Sequence, residues 1–205
     1  MIIALLFAVT FHEVAHGYAA LRFGDPTAKL AGRLSLNPVR HLDPFGSVLL
    51  PGLLIVTGSP ILFGYAKPVP VNLHNLHNRE LGTFVVSIAG VAVNLALAIA
   101  AGMVFQGITL LFPQMVQGDA MALLAQALFY FTLINVVLAI FNLIPIPPLD
   151  GSKVLAVLLP PQAREAYERI GPYGIIILVV FLMSGALGAL FTNIIHPITM
   201  FLVGG

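Results

Sequence analysis

The sequence predicts an all-α polytopic membrane protein. The expected architecture is a bundle of about four long transmembrane helices, with a re-entrant or fifth apolar segment and short β-like edge strands. Three observations carry this prediction. Of the 205 residues, 59% are hydrophobic and only 8% are charged, whereas a soluble domain carries roughly a quarter charged residues. Mean hydropathy is +1.02. The apolar residues are also gathered into runs long enough to cross a hydrocarbon core of about 30 Å as helices.

The first run covers about residues 1–22. MIIALLFAVTF could pass for a signal-peptide core, but it has no basic n-region or A-x-A cleavage site and runs straight into histidines. It reads as a retained helix. The second and third runs are Leu81–Phe112 and about Ala120–Leu143. The fourth, Tyr173 to about Val203, is long enough to tilt or break, and Gly185, Gly188 and Pro197 offer places to break. Segment 45–64 is apolar but interrupted by Pro51-Gly52 and Gly58-Ser59-Pro60, which suits a re-entrant segment or a fifth span. AGRLSLNP (31–38) and GYAKPVPVN (64–72) alternate like strands, and Pro68 and Pro70 demote the second to an edge. PPQAREAYERI (160–170) is amphipathic enough for a membrane surface, or serves as a connecting helix. No repeat or low-complexity tract divides the chain, so 1–205 reads as one integral-membrane domain. Its core is about 4–155, followed by a surface segment and helix over 156–205.

All nine Lys and Arg fall in three regions, Arg22–Arg40, Lys67–Arg79 and Lys153–Arg169. If 45–64 is re-entrant, these regions share one face, which the positive-inside rule makes cytoplasmic. A net charge of +1 leaves no basic tract for nucleic acid. The absence of cysteine excludes disulfides and thiolate metal ligands.

Within the first apolar run lies His12-Glu13-Val14-Ala15-His16, an HExxH string. Residues four apart share a helix face, so both imidazoles can reach one ion. Neutral imidazole suits zinc, and a glutamate beside the first ligand is placed to take a proton from water. Two core histidines with a chance glutamate are the bland alternative. It weakens inside an apolar helix, where polar groups need mutual compensation or a metal.

A catalytic zinc takes three protein ligands. No further histidine follows on the same helix, and the next glutamate after Glu13 is Glu80. Asp25 and Asp43 precede prolines and suit turns. Glu80, Asp119, Glu165 and Glu168 sit among polar or connecting residues. Asp150 ends FNLIPIPPLDG, where Pro145, Pro147 and Pro148 must stop or unwind the preceding helix. It is either the third ligand or an N-cap for the following segment.

HEVAH followed by NLIPIPPLDG resembles the site-2 protease family of intramembrane zinc metalloproteases, whose pattern is HExxH and then NxxPxxxxDG. Asn142, Pro145, Asp150 and Gly151 match the second string. Gly90 and Asn94 resemble the family's Gly-x-x-x-Asn, and the short GRLSLNP and PVPVN pieces resemble its compact prokaryotic branch. No PDZ domain and no clear helix ahead of HExxH accompany the motifs here.

The resemblance implies one zinc ion held by His12, His16 and Asp150, with Glu13 as catalytic base. The implied reaction is hydrolysis of membrane-spanning protein substrates in the lipid bilayer, with the site toward the cytoplasmic side of a prokaryotic cell membrane. Release of membrane-held regulators and clearance of signal-peptide remnants both fit the family. Asn94, with Asn142 in support, is a candidate to assist an oxyanion, against a plain interhelical hydrogen bond for either. Val69, Pro70, Val71 and Asn72 are candidates to pair with an unwound substrate by strand addition, against a rigid linker. His74 and His77 suit a solvated loop or a regulatory metal, while His41 and His196 read as structural. The competing functions are a metal-binding membrane protein without proteolysis and a zinc hydrolase of another amide substrate.

Overall fold

The computed structural model describes residues 1–49, 52, 53, 56, 66–114 and 118–205. Helix α1 (Ile2–Arg22) is followed by the short α2 (Thr27–Leu30), and then by α3 (Arg79–Leu111) and α4 (Asp119–Asn142). Beyond the proline loop come α5 (Asp150–Leu158), α6 (Pro161–Glu168) and α7 (Gly174–Met183). Helix α8 (Ala186–Leu190) leads through a π-helical turn, Phe191–Ile195, into α9 (His196–Val203).

Among the described residues, five helical stretches are long and apolar enough to cross a membrane: Ile2–Arg22, Arg79–Leu111, Ala120–Asn142, Pro161–Met183 and Ala186–Val203. The chain is a multi-pass membrane protein. The fifth stretch arises because the last apolar run divides. Gly185 takes a left-handed φ of 81°, which a helix interior does not accept but a glycine adopts freely. The choice between re-entry and spanning for 45–64 falls largely outside the described residues.

Helix α3 is the central element and packs on α1, α4, α5 and α9. Its buried face carries Gly82, Thr83, Ser87, Gly90, Asn94, Ala98, Ala101 and Gly102. Small residues let backbones approach closely where lipid supplies no hydrophobic drive. At Gly102 an added Cβ would lie 2.5 Å from the Leu202 carbonyl oxygen of α9. Ala98, Val136 and Ile195 form the apolar centre that joins α3, α4 and the turn before α9.

No strand forms among the described residues, so the β-like edges expected over 31–38 and 64–72 are corrected. The backbone there bonds elsewhere. Asn37 caps a 3₁₀ turn, Pro38–His41, and Pro68 and Pro70 have no N–H to place in a ladder. Residues 66–78 instead form a strap across the end of α1. Lys67 N–H donates to the His41 carbonyl at 2.9 Å, and the Arg33 guanidinium donates to the Lys67 carbonyl at 2.6 Å. Further on, His77 N–H donates to the Phe23 carbonyl at 2.8 Å.

Asp25, wholly buried, is the strap's main anchor. Its carboxylate accepts from Asn72 N–H at 2.7 Å, from the Asn75 amide at 2.9 Å, and from Thr27 through both N–H and hydroxyl. Burial alone would raise this carboxyl, but the donors hold it below the ordinary range. The folded value therefore lies below the unfolded one of about 4. The anchor's contribution is complete above that pH and lost as pH falls through the folded value. Acidification below pH ~4 is expected to speed amide exchange in 66–78 in wild type. An Asp25→Asn variant showing the same acid response would rule Asp25 out as its origin.

Candidate metal and catalytic site

Three polar side chains from two separated stretches converge inside the bundle. His12 and His16 lie one turn apart on α1, and both are buried. Asp150 opens α5 and is 6% exposed. His12 Nε2 lies 3.0 Å from His16 Nε2, and Asp150 Oδ2 lies 3.1 Å and 3.0 Å from the two nitrogens. Among the described residues this is the group of His, Asp and Glu able to hold a metal ion. Asp150 does not cap its helix: no side-chain bond serves that end, and the carboxylate faces the histidines.

The partners of the outer ring nitrogens decide the tautomers. Asn94 donates its amide hydrogens to the Ala8 carbonyl at 3.2 Å and to Asn135 Oδ1 at 2.7 Å. Asn135 in turn donates to the Phe131 carbonyl at 2.8 Å. Backbone carbonyls only accept, so they set both amide orientations. Asn94 Oδ1 is thereby aimed at His12 Nδ1, 2.6 Å away. His16 Nδ1 meets the Val86 carbonyl at 2.6 Å. Both Nδ1 atoms must carry the hydrogen.

In the neutral rings both Nε2 atoms are then bare acceptors, facing each other and a carboxylate oxygen. Three lone pairs directed at one point repel unless a cation lies between them. Two imidazoles and a carboxylate form a borderline donor set suited to zinc, and a tetrahedral site with bonds of about 2.0–2.1 Å has edges of about 3.3 Å. The observed separations need only slight expansion, so the residues fit the ion.

Asn94 is wholly buried and both its hydrogens are used. It holds His12 in orientation, with both amide hydrogens already given to Ala8 and Asn135. Asn142 donates to the Leu138 carbonyl at 2.9 Å and also lines the cavity beside the three donors, so it is the better placed of the two to assist an oxyanion. Asn135 has no place in the sequence reading. Its signal is a single amide within the apolar stretch TLINVVLAI, where a polar residue needs a partner. Asn135→Ala would leave an Asn94 hydrogen buried without an acceptor, a cost of about 1–3 kcal/mol. Metal affinity is expected to fall about 10–100-fold, measured by competition with a chelator. Wild-type affinity would remove Asn135 from the support.

Gly90 makes the convergence possible. A Cβ there would lie 2.5 Å from His12 Cε1 and 2.6 Å from both His12 Nδ1 and His16 Nε2. Gly151 is equally constrained, because a side chain would run into the Leu143 carbonyl as the proline loop folds back over the end of α4. Lys153 donates to Asp150 Oδ1 at 3.0 Å, leaving Oδ2 toward the histidines. Helix α6 braces the same loop. Arg164 donates to the Ala156 and Val157 carbonyls at the end of α5 and to Glu80, while the Tyr167 hydroxyl donates to the Pro145 carbonyl.

A cavity of about 310 Å³ opens beside the donors, lined among others by Glu13, Val69, Val71, Asn142 and Lys153. Glu13 Oε2 accepts from Val69 N–H at 2.7 Å. The strand-addition reading of 69–72 loses most of its donors. Pro70 has none, Val69 is bonded to Glu13, and Asn72 is bonded to Asp25. His74 and His77 are exposed, with the His77 ring against Gly24. His41 is buried with Nε2 2.7 Å from the Ser35 carbonyl oxygen, and His196 is exposed. None of these four joins the cluster.

Comparisons with known proteins agree with this chemistry. The model of peptidase family M50 matches residues 1–185. A Bacillus subtilis protein named "putative zinc metalloprotease YwhC" is 40% identical over 189 residues, which are 90% of this chain and 80% of the relative. Proteins named "putative zinc metalloprotease Rip2" from Mycolicibacterium smegmatis and Mycobacterium tuberculosis are 32% and 30% identical, over 93% of this chain and 69% of theirs. No solved structure gives a significant match. The chain therefore belongs to peptidase family M50, the site-2 protease family of zinc metallopeptidases.

Proposed function

We propose that this protein is a zinc-dependent intramembrane endopeptidase that hydrolyses peptide bonds of membrane-embedded protein substrates. The observation that carries the reading is the meeting of three bare lone pairs, from His12, His16 and Asp150, beside a cavity that also presents Glu13. A purely structural metal site has no use for a carboxylate next to the ion and open to a cavity. The whole chain, 1–205, acts as one domain with its catalytic core over about 4–155.

When bound, zinc would supply the Lewis acidity that polarises the scissile carbonyl and acidifies the attacking water. His12, His16 and Asp150 would hold the ion, and Asn94, Asn135, Val86 and Lys153 fix the orientation of those three. Glu13 takes the proton from the attacking water and delivers it to the leaving amine. With Oε2 bonded to Val69, Oε1 is the atom that carries this proton. Asn142 is placed to donate to the oxygen that gains charge.

His16 and His12 lie six and ten residues before Arg22, which corresponds to about 9–15 Å along the helix. Helix α1 ends at Arg22, α3 begins at Arg79 and α5 carries Lys153. This supports a site toward the cytoplasmic face, reachable by water. Regulated release of membrane-held factors, or clearance of signal-peptide remnants, is the role that fits such a site.

The test is cleavage of a defined membrane-spanning peptide by the purified chain in lipid nanodiscs, with metal content measured in parallel. About one zinc per chain is expected, with cleavage lost on chelation and restored by zinc. A chain that binds zinc but cleaves no peptide would fit the metal-binding alternative and refute the protease.

A further inference from the structure

We infer that the main-chain N–H of Val69 positions the catalytic carboxylate of Glu13, which makes strap residues 66–72 part of the catalytic machinery. The inference rests on the protease reading above and assigns a role to a segment that this reading leaves as cavity wall.

The bond from Val69 N to Glu13 Oε2 is 2.7 Å and joins residues 56 apart in sequence. That length is typical of a charge-assisted bond to a carboxylate. The local sequence permits one register alone. In Pro68-Val69-Pro70 the flanking prolines have no N–H, so the stretch presents a single donor to the helix. Proline on both sides also keeps the backbone extended and stiff.

The strap is pinned on either side of that donor. Lys67 is tied through N–H to the His41 carbonyl and through its own carbonyl to Arg33, while Asn72 N–H is held by Asp25. Between these anchors Val69 is 7% exposed and sits against α1. A Cβ on Gly17 would come within 3.0 Å of Val69 Cγ1. The helix is flat at that point, and the valine occupies the space. Side-chain packing and backbone anchors together place the N–H over Glu13, one residue from the first metal ligand. The consequence is a carboxylate with one oxygen held and the other free to carry a proton, prearranged before substrate arrives. A carboxylate without that partner would sample other rotamers, and small misplacement of a reacting group is costly to rate.

Two experiments on the full chain in nanodiscs test this. The first needs no activity: amide exchange of Val69 is compared in wild type and Glu13→Ala. Loss of the acceptor is expected to speed exchange about tenfold or more, and unchanged exchange would overturn the assignment. The second compares Val69→Pro, which deletes the N–H, with Val69→Ala, which keeps it and removes the packing. The proline variant is expected to lower kcat about tenfold more than the alanine variant, with zinc content equal in both. Equal losses of kcat would show that the valine side chain alone matters and sink the inference. Absence of cleavage by wild type would count against the protease reading, and the exchange experiment would still decide the Val69–Glu13 contact.

Discussion

Glu13→Ala is expected to abolish peptide cleavage while zinc stays bound at the wild-type stoichiometry. The side chain is not among the atoms that converge on the ion site: its Oε2 is bonded to Val69 N–H, while Asp150 Oδ2 and the two Nε2 atoms face one another. Removing it leaves the donor triangle and its outer supports from Asn94 and Val86 in place. What disappears is the group proposed to take the proton from water and return it to the amine. General acid–base groups contribute about 10²–10⁴ in rate, so kcat should fall by at least the lower end of that range. Zinc per chain by elemental analysis, beside single-turnover cleavage, checks both halves. A variant that cleaves like wild type would remove Glu13 from the mechanism, and one that loses zinc would make it a structural element.

Gly90→Ala is expected to remove metal and activity together. The added methyl group would fall at 2.5–2.6 Å from atoms of both imidazoles. Neither ring has freedom to yield. His12 is held by an amide pair whose own bonds end on backbone carbonyls, and His16 is held by the Val86 carbonyl of the same helix as Gly90. In an exposed helix the same change would stabilise by about 1 kcal/mol through helix propensity. Helix α3 should therefore form as before, and the damage should be confined to the ring positions. A displacement of this kind costs about 10² in rate where geometry is critical. Chelator competition should show weaker zinc binding by at least about tenfold. Zinc affinity equal to wild type would mean that the α1–α3 contact is looser than the structure shows. The pair of variants separates a lost base from a lost metal site.

Much of the fold could be read from the chain. Runs such as Leu81–Phe112 are visible because a bilayer demands about 20 apolar residues of any helix that crosses it. The break in the last run follows from Gly185. The expected strands failed because alternation in a short stretch says nothing about whether a partner strand exists. Pro68 and Pro70 left too few donors for a ladder, and the N–H groups of Lys67, Val69 and Asn72 went to His41, Glu13 and Asp25. Asn94 stood out as an intramembrane amide, but the direction of its hydrogens depended on Ala8 and Asn135, neighbours that one helix cannot reveal.

The sequence by itself determined that this protein lives in a bilayer and that His12 and His16 share a helix face. It also marked Asp150 as the outstanding candidate to join them. These are properties of composition, spacing and chain-breaking prolines, which act locally and survive without knowledge of the fold. Tertiary structure alone decided which atoms meet. Asp150 reaches His12 across 138 positions, Asn94 reaches His12 across 82, and Val69 reaches Glu13 across 56. Those bonds depend on how closely α3 approaches α1, which Gly90 permits, and on where anchored loops present their donors. Hydrogen-bond direction is a property of packed neighbours, so it has no signature along the chain.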